Sequence, residues 1–119
     1  ITIVAQVLMN LIDHGMTARE AVDAPRVHHQ WLPDVIFAEP RALSADTRAM
    51  LEGLGYQIRE QTPWGAAALI VVAGETADGA VASSGPDSVT GTGMRAGFLY
   101  GANDPRRPAG AALGVDRGR

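Results

Sequence analysis

Residues Ile1 to Asp13 are apolar except for Thr2, Gln6, Asn10 and Asp13, and those four recur at spacings of 4, 4 and 3, one narrow stripe on a helix. The pattern predicts a helix buried on most of its sides. At about 1.5 Å per residue it reaches only about 20 Å, too short for a bilayer, and no basic stretch leads into it as in a signal peptide. Gly15 is placed as a left-handed C-cap, and Thr17-Ala-Arg-Glu20 spells a capping box opening a second short helix that Pro25 stops. Val35 to Glu39 is a strand candidate closed by Pro40. Ser44 caps a third helix running to about Leu54, with Leu43, Thr47, Met50, Leu51 and Leu54 on one face and Gly55 just past its end.

Beyond residue 55 strands dominate: Tyr56 to Glu60 alternates, Ala66 to Ala73 is a continuous apolar run, and Gly97 to Gly101 is short and apolar. Gly74 to Arg95, rich in Gly, Ser, Thr, Asp and Pro, predicts turns and a long loop, and the tail from Pro108 is largely Ala, Gly and Arg. Helices first and strands later predict the α/β class in a layered α+β arrangement, as one segment without a repeat or linker.

Composition narrows the chemistry. The apolar share of 46% supports a real core, while six aromatics against 34 Ala and Gly in 119 residues predict small aliphatic side chains in close layers. A net charge of -3 gives no footprint for phosphate backbones or anionic membranes, so no nucleic-acid partner is expected. All ten basic residues are Arg and Cys is absent, which removes lysine Schiff bases, thiol catalysis and cysteine-held zinc. No cofactor is expected. The chain opens with Ile, which predicts a processed product or an excised segment.

His28 and His29, with Asp34 and Glu39 nearby, invite a metal reading, but adjacent residues of extended chain point to opposite faces and share one ion poorly. The alternative is that one histidine packs and hydrogen-bonds inside while Trp31 and Leu32 anchor the loop. Gly91-Thr-Gly93-Met-Arg-Ala96 fits a loose dinucleotide fingerprint, but no strand leads into it and no helix follows to hold a pyrophosphate. Ser83, Ser84 and Ser88 have no elbow motif and no histidine after residue 29, so they read as loop serines. Thr2, second in the chain and in a helix, is assigned no chemistry. Arg26, and Arg106 in the Asp104-Pro105-Arg106 run, are expected to clamp carboxylates or backbone carbonyls with paired bonds.

These same residues carry a resemblance. Asp13-His-Gly15-Met, then the fifteen residues Glu20 to Asp34 (EAVDAPRVHHQWLPD), resemble the C-terminal part of the small subunit of gamma-glutamyltranspeptidases. Leu43-Ser-Ala-Asp-Thr47, Leu54-Gly55-Tyr, Trp64-Gly65-Ala, Tyr100 to Arg107 and Gly110 to Gly114 follow in the family's order, so the likeness covers about four fifths of the chain. It implies part of an N-terminal-nucleophile hydrolase αββα sandwich, helices first and antiparallel strands later. The implied enzyme cuts itself into two subunits and moves a gamma-glutamyl group from glutathione to water or an amine.

In that family the threonine nucleophile, the substrate-holding serine pair and the oxyanion glycines all correspond to positions before Ile1, so the resemblance implies no catalytic residue here. It implies structural support by Arg26, His28, His29, Asp34, Asp104 and Arg106. The implied partners are the N-terminal part of the small subunit, the large subunit and a small gamma-glutamyl substrate. A periplasmic or secreted bacterial protein is the implied setting. Departures are Ala80 to Gly97, which is extra and reads as a loop insertion, Asn103 in place of the usual serine, and the bland Ala66 to Ala68. Two other readings stay open: a cephalosporin or glutaryl acylase on the same scaffold, and a non-catalytic remnant or partner subunit.

Overall fold

A computed structural model describes residues 1–72, 98–107 and 110–113. The expected loop over 74–95, the insertion at 80–97, the fingerprint at Gly91 to Ala96, Ser83, Ser84, Ser88 and most of the tail lie outside the described residues. The elements are α1 (Thr2–Ile12), α2 (Ala18–Asp23), β1 (Val27–His28), β2 (Val35–Ala38), α3 (Ala45–Gly53), β3 (Gln57–Glu60), β4 (Ala68–Val72) and β5 (Leu99–Asn103).

Local signals set the helix boundaries. Thr17 and Glu20 form the reciprocal capping box, with Glu20 N–H donating to Thr17 Oγ1 and Thr17 N–H to Glu20 Oε2. Ser44 Oγ accepts from Thr47 N–H at the start of α3. Gly15 and Gly55 take φ of 61° and 96°, the left-handed conformation that ends a helix at no side-chain cost.

One sheet has the order β1-β2-β3. β1 and β2 are antiparallel, with Val27 opposite Ala38. β2 and β3 run parallel, Ile36 opposite Ile58, a direction that differs from the antiparallel expectation because α3 carries the chain back between them. The second sheet pairs β4 and β5 antiparallel, with Leu69 opposite Ala102 and Val71 opposite Tyr100. Its inner face, with Leu69, Val71, Tyr100 and Ala102, packs on a core of Val7, Ala18, Ala21 and Val22. The alanines let α2 approach the sheet closely, as the composition implied.

Three expectations about burial are corrected. In α1 only Val7 is buried, while Val4, Leu8, Met9 and Ile12 are exposed, Ile12 at 77%. The reason is that the polar stripe faces inward. Thr2 Oγ1 is hydrogen-bonded to His28 Nδ1 at 3.0 Å, and Asn10 Nδ2 donates to Ala21 O at 3.2 Å. Gln6 donates to Val27 O at 2.6 Å and accepts from Val27 N–H at 2.9 Å, so its amide completes the edge of β1 as a neighbouring strand would.

Trp31 and Leu32 do not anchor their loop; Trp31 is 85% exposed, because hydrogen bonds from Gln30 to Leu32 O and from Val35 N–H to Pro33 O order the loop without them. On α3, Met50 and Leu54 of the expected apolar face are exposed, since the helix is held mainly by its crossover against β3. The outer face of β4–β5, with Ile70, Val72 and Leu99, is likewise uncovered.

Candidate functional site: a buried four-charge cluster

The polar centre of the chain lies where α2 ends, β2 ends, the 64–67 turn begins and β5 finishes. Pro25 stops α2 and delivers Arg26 inward; Asp104 and Arg106 follow β5 on the Asn-Asp-Pro-Arg turn; Glu39 ends the apolar run of β2. Arg26, Glu39 and Asp104 are buried to 3% exposure or less, and the Arg106 side chain is 7% exposed.

The charges alternate. Arg26 Nη2 donates to Asp104 Oδ2 at 2.5 Å and to Val22 O at 3.2 Å, while Nη1 reaches Trp64 O at 3.4 Å. Arg106 grips Glu39 with two parallel bonds, Nε to Oε1 at 2.7 Å and Nη2 to Oε2. Its Nη1 donates to Asp104 Oδ1 at 3.1 Å and Val22 O at 3.0 Å, and Nη2 also reaches Ala24 O at 3.0 Å. The carboxylates take backbone donors too: Glu39 accepts from Arg26 N–H at 3.1 Å and Trp64 N–H at 3.3 Å, and Asp104 from Ala67 N–H at 2.8 Å and Arg106 N–H at 3.0 Å. Among the described residues, Arg26 Nε is the buried side-chain atom left without a partner.

The hydrogen bonds of this arrangement join the ends of α2, β2 and β5 to the 64–67 turn. Burial pushes the Glu39 carboxyl up, but the Arg106 hydrogen bond, the Arg26 and Trp64 amides and the Arg106 charge outweigh it, leaving Glu39 below the usual carboxylate range. Burial opposes ionisation of Asp104 in the same way and is outweighed by the Arg106 amide, the Arg26 guanidinium, the Ala67 amide and the Arg106 guanidinium. The Glu39 hydrogen bond raises Arg106 above its ordinary value against the opposing effect of burial. With Glu39 and Asp104 both held below the usual carboxylate range, neither carboxylate is tuned to exchange protons at neutral pH. A cleft of about 320 Å³ opens over the cluster between Pro25, Pro40, Pro63 and Pro105, yet the Glu39 oxygens and Arg106 nitrogens beneath it are already engaged.

A pH dependence follows. Because both carboxylates titrate lower when folded than when unfolded, their contribution is full above the unfolded values of about 4 and is lost as pH falls through the lower folded ones. Urea midpoints taken from pH 7 to pH 3 are expected to hold steady and then drop below about pH 4, and Asp104→Asn is expected to shrink the drop. An unchanged drop in that variant would remove Asp104 from the account.

Of the six support residues expected from the sequence, the structure brings together three: Arg26, Asp104 and Arg106. His28 is half-buried and ties β1 to α1 through Thr2. His29 Nε2 meets Asp34 Oδ1 at 2.9 Å on the exposed side, with the His29 ring edge-on to Tyr56. Glu39 is the member that the sequence reading left among metal candidates. Its signal was a lone carboxylate ending an apolar strand, which demands a buried cation. Among the described residues no three His, Cys, Asp or Glu are grouped to hold a metal, and no helix is long and apolar enough to cross a membrane.

The described residues define a layered α+β fold of three helices on two small sheets, with the charge cluster between its elements, and comparisons give it a family. The gamma-glutamyltranspeptidase family model matches residues 1–114. The chain is 40% identical over 114 residues to a glutathione hydrolase proenzyme of Pseudomonas sp. (strain A14), covering 96% of this chain and 18% of that protein. It is 39% identical over 106 residues to the glutathione hydrolase proenzyme of Escherichia coli (strain K12), covering 89% and 14%. A Helicobacter pylori gamma-glutamyltranspeptidase structure superposes with a TM-score of 0.68 at 35% identity, covering 89% of this chain and 47% of that one. The chain therefore belongs to the gamma-glutamyltranspeptidase family, and its fold is the N-terminal-nucleophile hydrolase fold of that structure. It spans less than a fifth of the length of the curated relatives.

Proposed function

We propose that these residues are the C-terminal portion of the small subunit of an enzyme that moves the gamma-glutamyl group of glutathione and related amides to water or to amines. Their task is to hold the active site in place; the threonine nucleophile belongs to a segment outside them. The observation carrying this reading is the buried cluster of Arg26, Glu39, Asp104 and Arg106, which engages its charges in fixing four chain segments. Preorganised donors spare an enzyme reorganisation during reaction, and a rigid support supplies that preorganisation.

The two curated relatives are named proenzymes, which supports a chain that cuts itself into a large and a small subunit. The exposed apolar residues of α1 and of the outer β4–β5 face support packing against the rest of such a protein, through the upstream part of the small subunit and the large subunit. His28, His29 and Asp34 support the loop beside β1. Residues 80–97 are read as an insertion relative to the family's sequence pattern. The test is hydrolysis of a chromogenic gamma-glutamyl amide by the full-length gene product. Turnover is expected, and a processed protein that ignores gamma-glutamyl amides but cleaves another acyl amide would replace the substrate assignment.

A further inference from the structure

On β5, Tyr100 and Ala102 face the core, so Leu99, Gly101 and Asn103 alternate onto the outer side of the sheet. The chain comes back to that side after the charge cluster. Arg107 N–H donates to Asp104 O at 3.1 Å and Gly110 N–H to Arg107 O at 3.2 Å, and these bonds turn residues 110–113 back toward β5. The Asn103 amide fills the bend, its Nδ2 donating to Asp104 O at 3.2 Å and to Arg107 O at 3.3 Å. Gly110 lies against that amide, whose atoms occupy the space a side chain at 110 would need. Two residues on, Ala112 meets Gly101: a methyl group added at Gly101 would stand 2.9 Å from Ala112 Cβ and 3.9 Å from Ala112 Cα. The two pairings, 110 with 103 and 112 with 101, step in opposite directions along the chain, so residues 110–112 run antiparallel to β5 across its outer side.

We propose that residues 110–113 are a strap: the chain's own tail closes over the Gly101–Asn103 end of the outer β4–β5 face, with Gly101 as the socket for Ala112. The strap leaves Ile70, Val72 and Leu99 of that face uncovered. It stands on contacts among these residues and draws nothing from the proposed function.

The tail, and not the strand, is what requires glycine at 101. Gly101 does not take a positive φ, and glycine inside a strand is weaker than alanine by its extra freedom when unfolded. Ala112 Cβ is bonded directly to the tail backbone and has no rotamer by which to step aside, so only movement of the tail itself can admit a side chain at 101.

The test is a cycle of Gly101→Ala and Ala112→Gly in the full-length protein, read by Tm. Gly101→Ala alone is expected to lower Tm by about 2 °C or more. In the Ala112→Gly background, where the carbon it strikes is gone, the same change should leave Tm level or raise it. Gly53→Ala is the control, since nothing lies within 4 Å of where its side chain would be, and its effect should be the same in both backgrounds. A second measurement locates the tail directly. Gly101→Cys with Ala112→Cys brings two Cβ positions to within about 1 Å of disulfide spacing, so the pair should oxidise to a 101–112 bond read by mass spectrometry. That measurement decides the matter alone if Gly101→Ala does not fold. An equal effect of Gly101→Ala in both backgrounds, or a cysteine pair that stays reduced, would give this end of the face to another part of the protein and overturn the strap.

Discussion

Replacing Arg106 with alanine in the full-length protein is expected to destabilise it by about 3 to 5 kcal/mol, the range for removing one partner of a buried ion pair. The structural reason is specific. Glu39 would stay buried with only the Arg26 and Trp64 amides as donors, Asp104 would lose one of its two guanidinium contacts, and the carbonyls of Val22 and Ala24 would each lose a donor. Arg26→Ala should act similarly, since Asp104 would lose its 2.5 Å partner and the carbonyls of Val22 and Trp64 would each lose a bond. Arg106→Lys should fall between, because an ammonium cannot reproduce the planar two-bond grip on Glu39. Unfolding midpoints and self-cleavage followed on a gel give the readout: uncleaved precursor is expected to accumulate in the alanine variants. Normal cleavage with only KM raised would show that these guanidinium groups bind substrate.

What could be read from the sequence divides by range. The caps at Thr17 and Ser44 and the left-handed glycines at 15 and 55 are local signals, each using residues within one helical turn, and the structure places them where the sequence did. The apolar runs gave β2, β4 and β5 for the same reason. Arg26 and Asp104 lie 78 positions apart, so no periodicity links them, and the two arginines stood out because a guanidinium can clamp carboxylates or backbone carbonyls with paired bonds.

Glu39 was misplaced because a carboxylate near two histidines suits a metal as well as a guanidinium until the fold chooses. The narrow polar stripe of α1 predicted a helix buried on most sides but not which side meets this chain, and within it the stripe itself faces inward. Gln6 shows the other use of such a stripe, satisfying the backbone of an edge strand.

The exposed apolar surface carries the second large effect. Ile12, Ile70, Val72 and Leu99 are each at least 70% exposed, spread over α1 and one face of β4–β5, and among the described residues β4–β5 is a two-stranded sheet. Among the described residues, five form the buried apolar cluster joining α1, α2 and β5. Residues 1–119 on their own are therefore expected to unfold over a broad urea range and to associate through the uncovered faces, whereas the full-length protein unfolds cooperatively. A sharp two-state transition from a soluble monomer of the 119 residues would show that they form a self-sufficient module.

Under the proposed function these residues would support a gamma-glutamyl transfer site without supplying its reacting groups. Its most direct measurement is hydrolysis of one chromogenic gamma-glutamyl amide, assayed side by side for the full-length gene product and for residues 1–119 alone. The account expects turnover from the first and nothing above the uncatalysed rate from the second, since no nucleophile paired with a base and no oxyanion donors are assigned to this segment. Turnover by the 119 residues alone would contradict it.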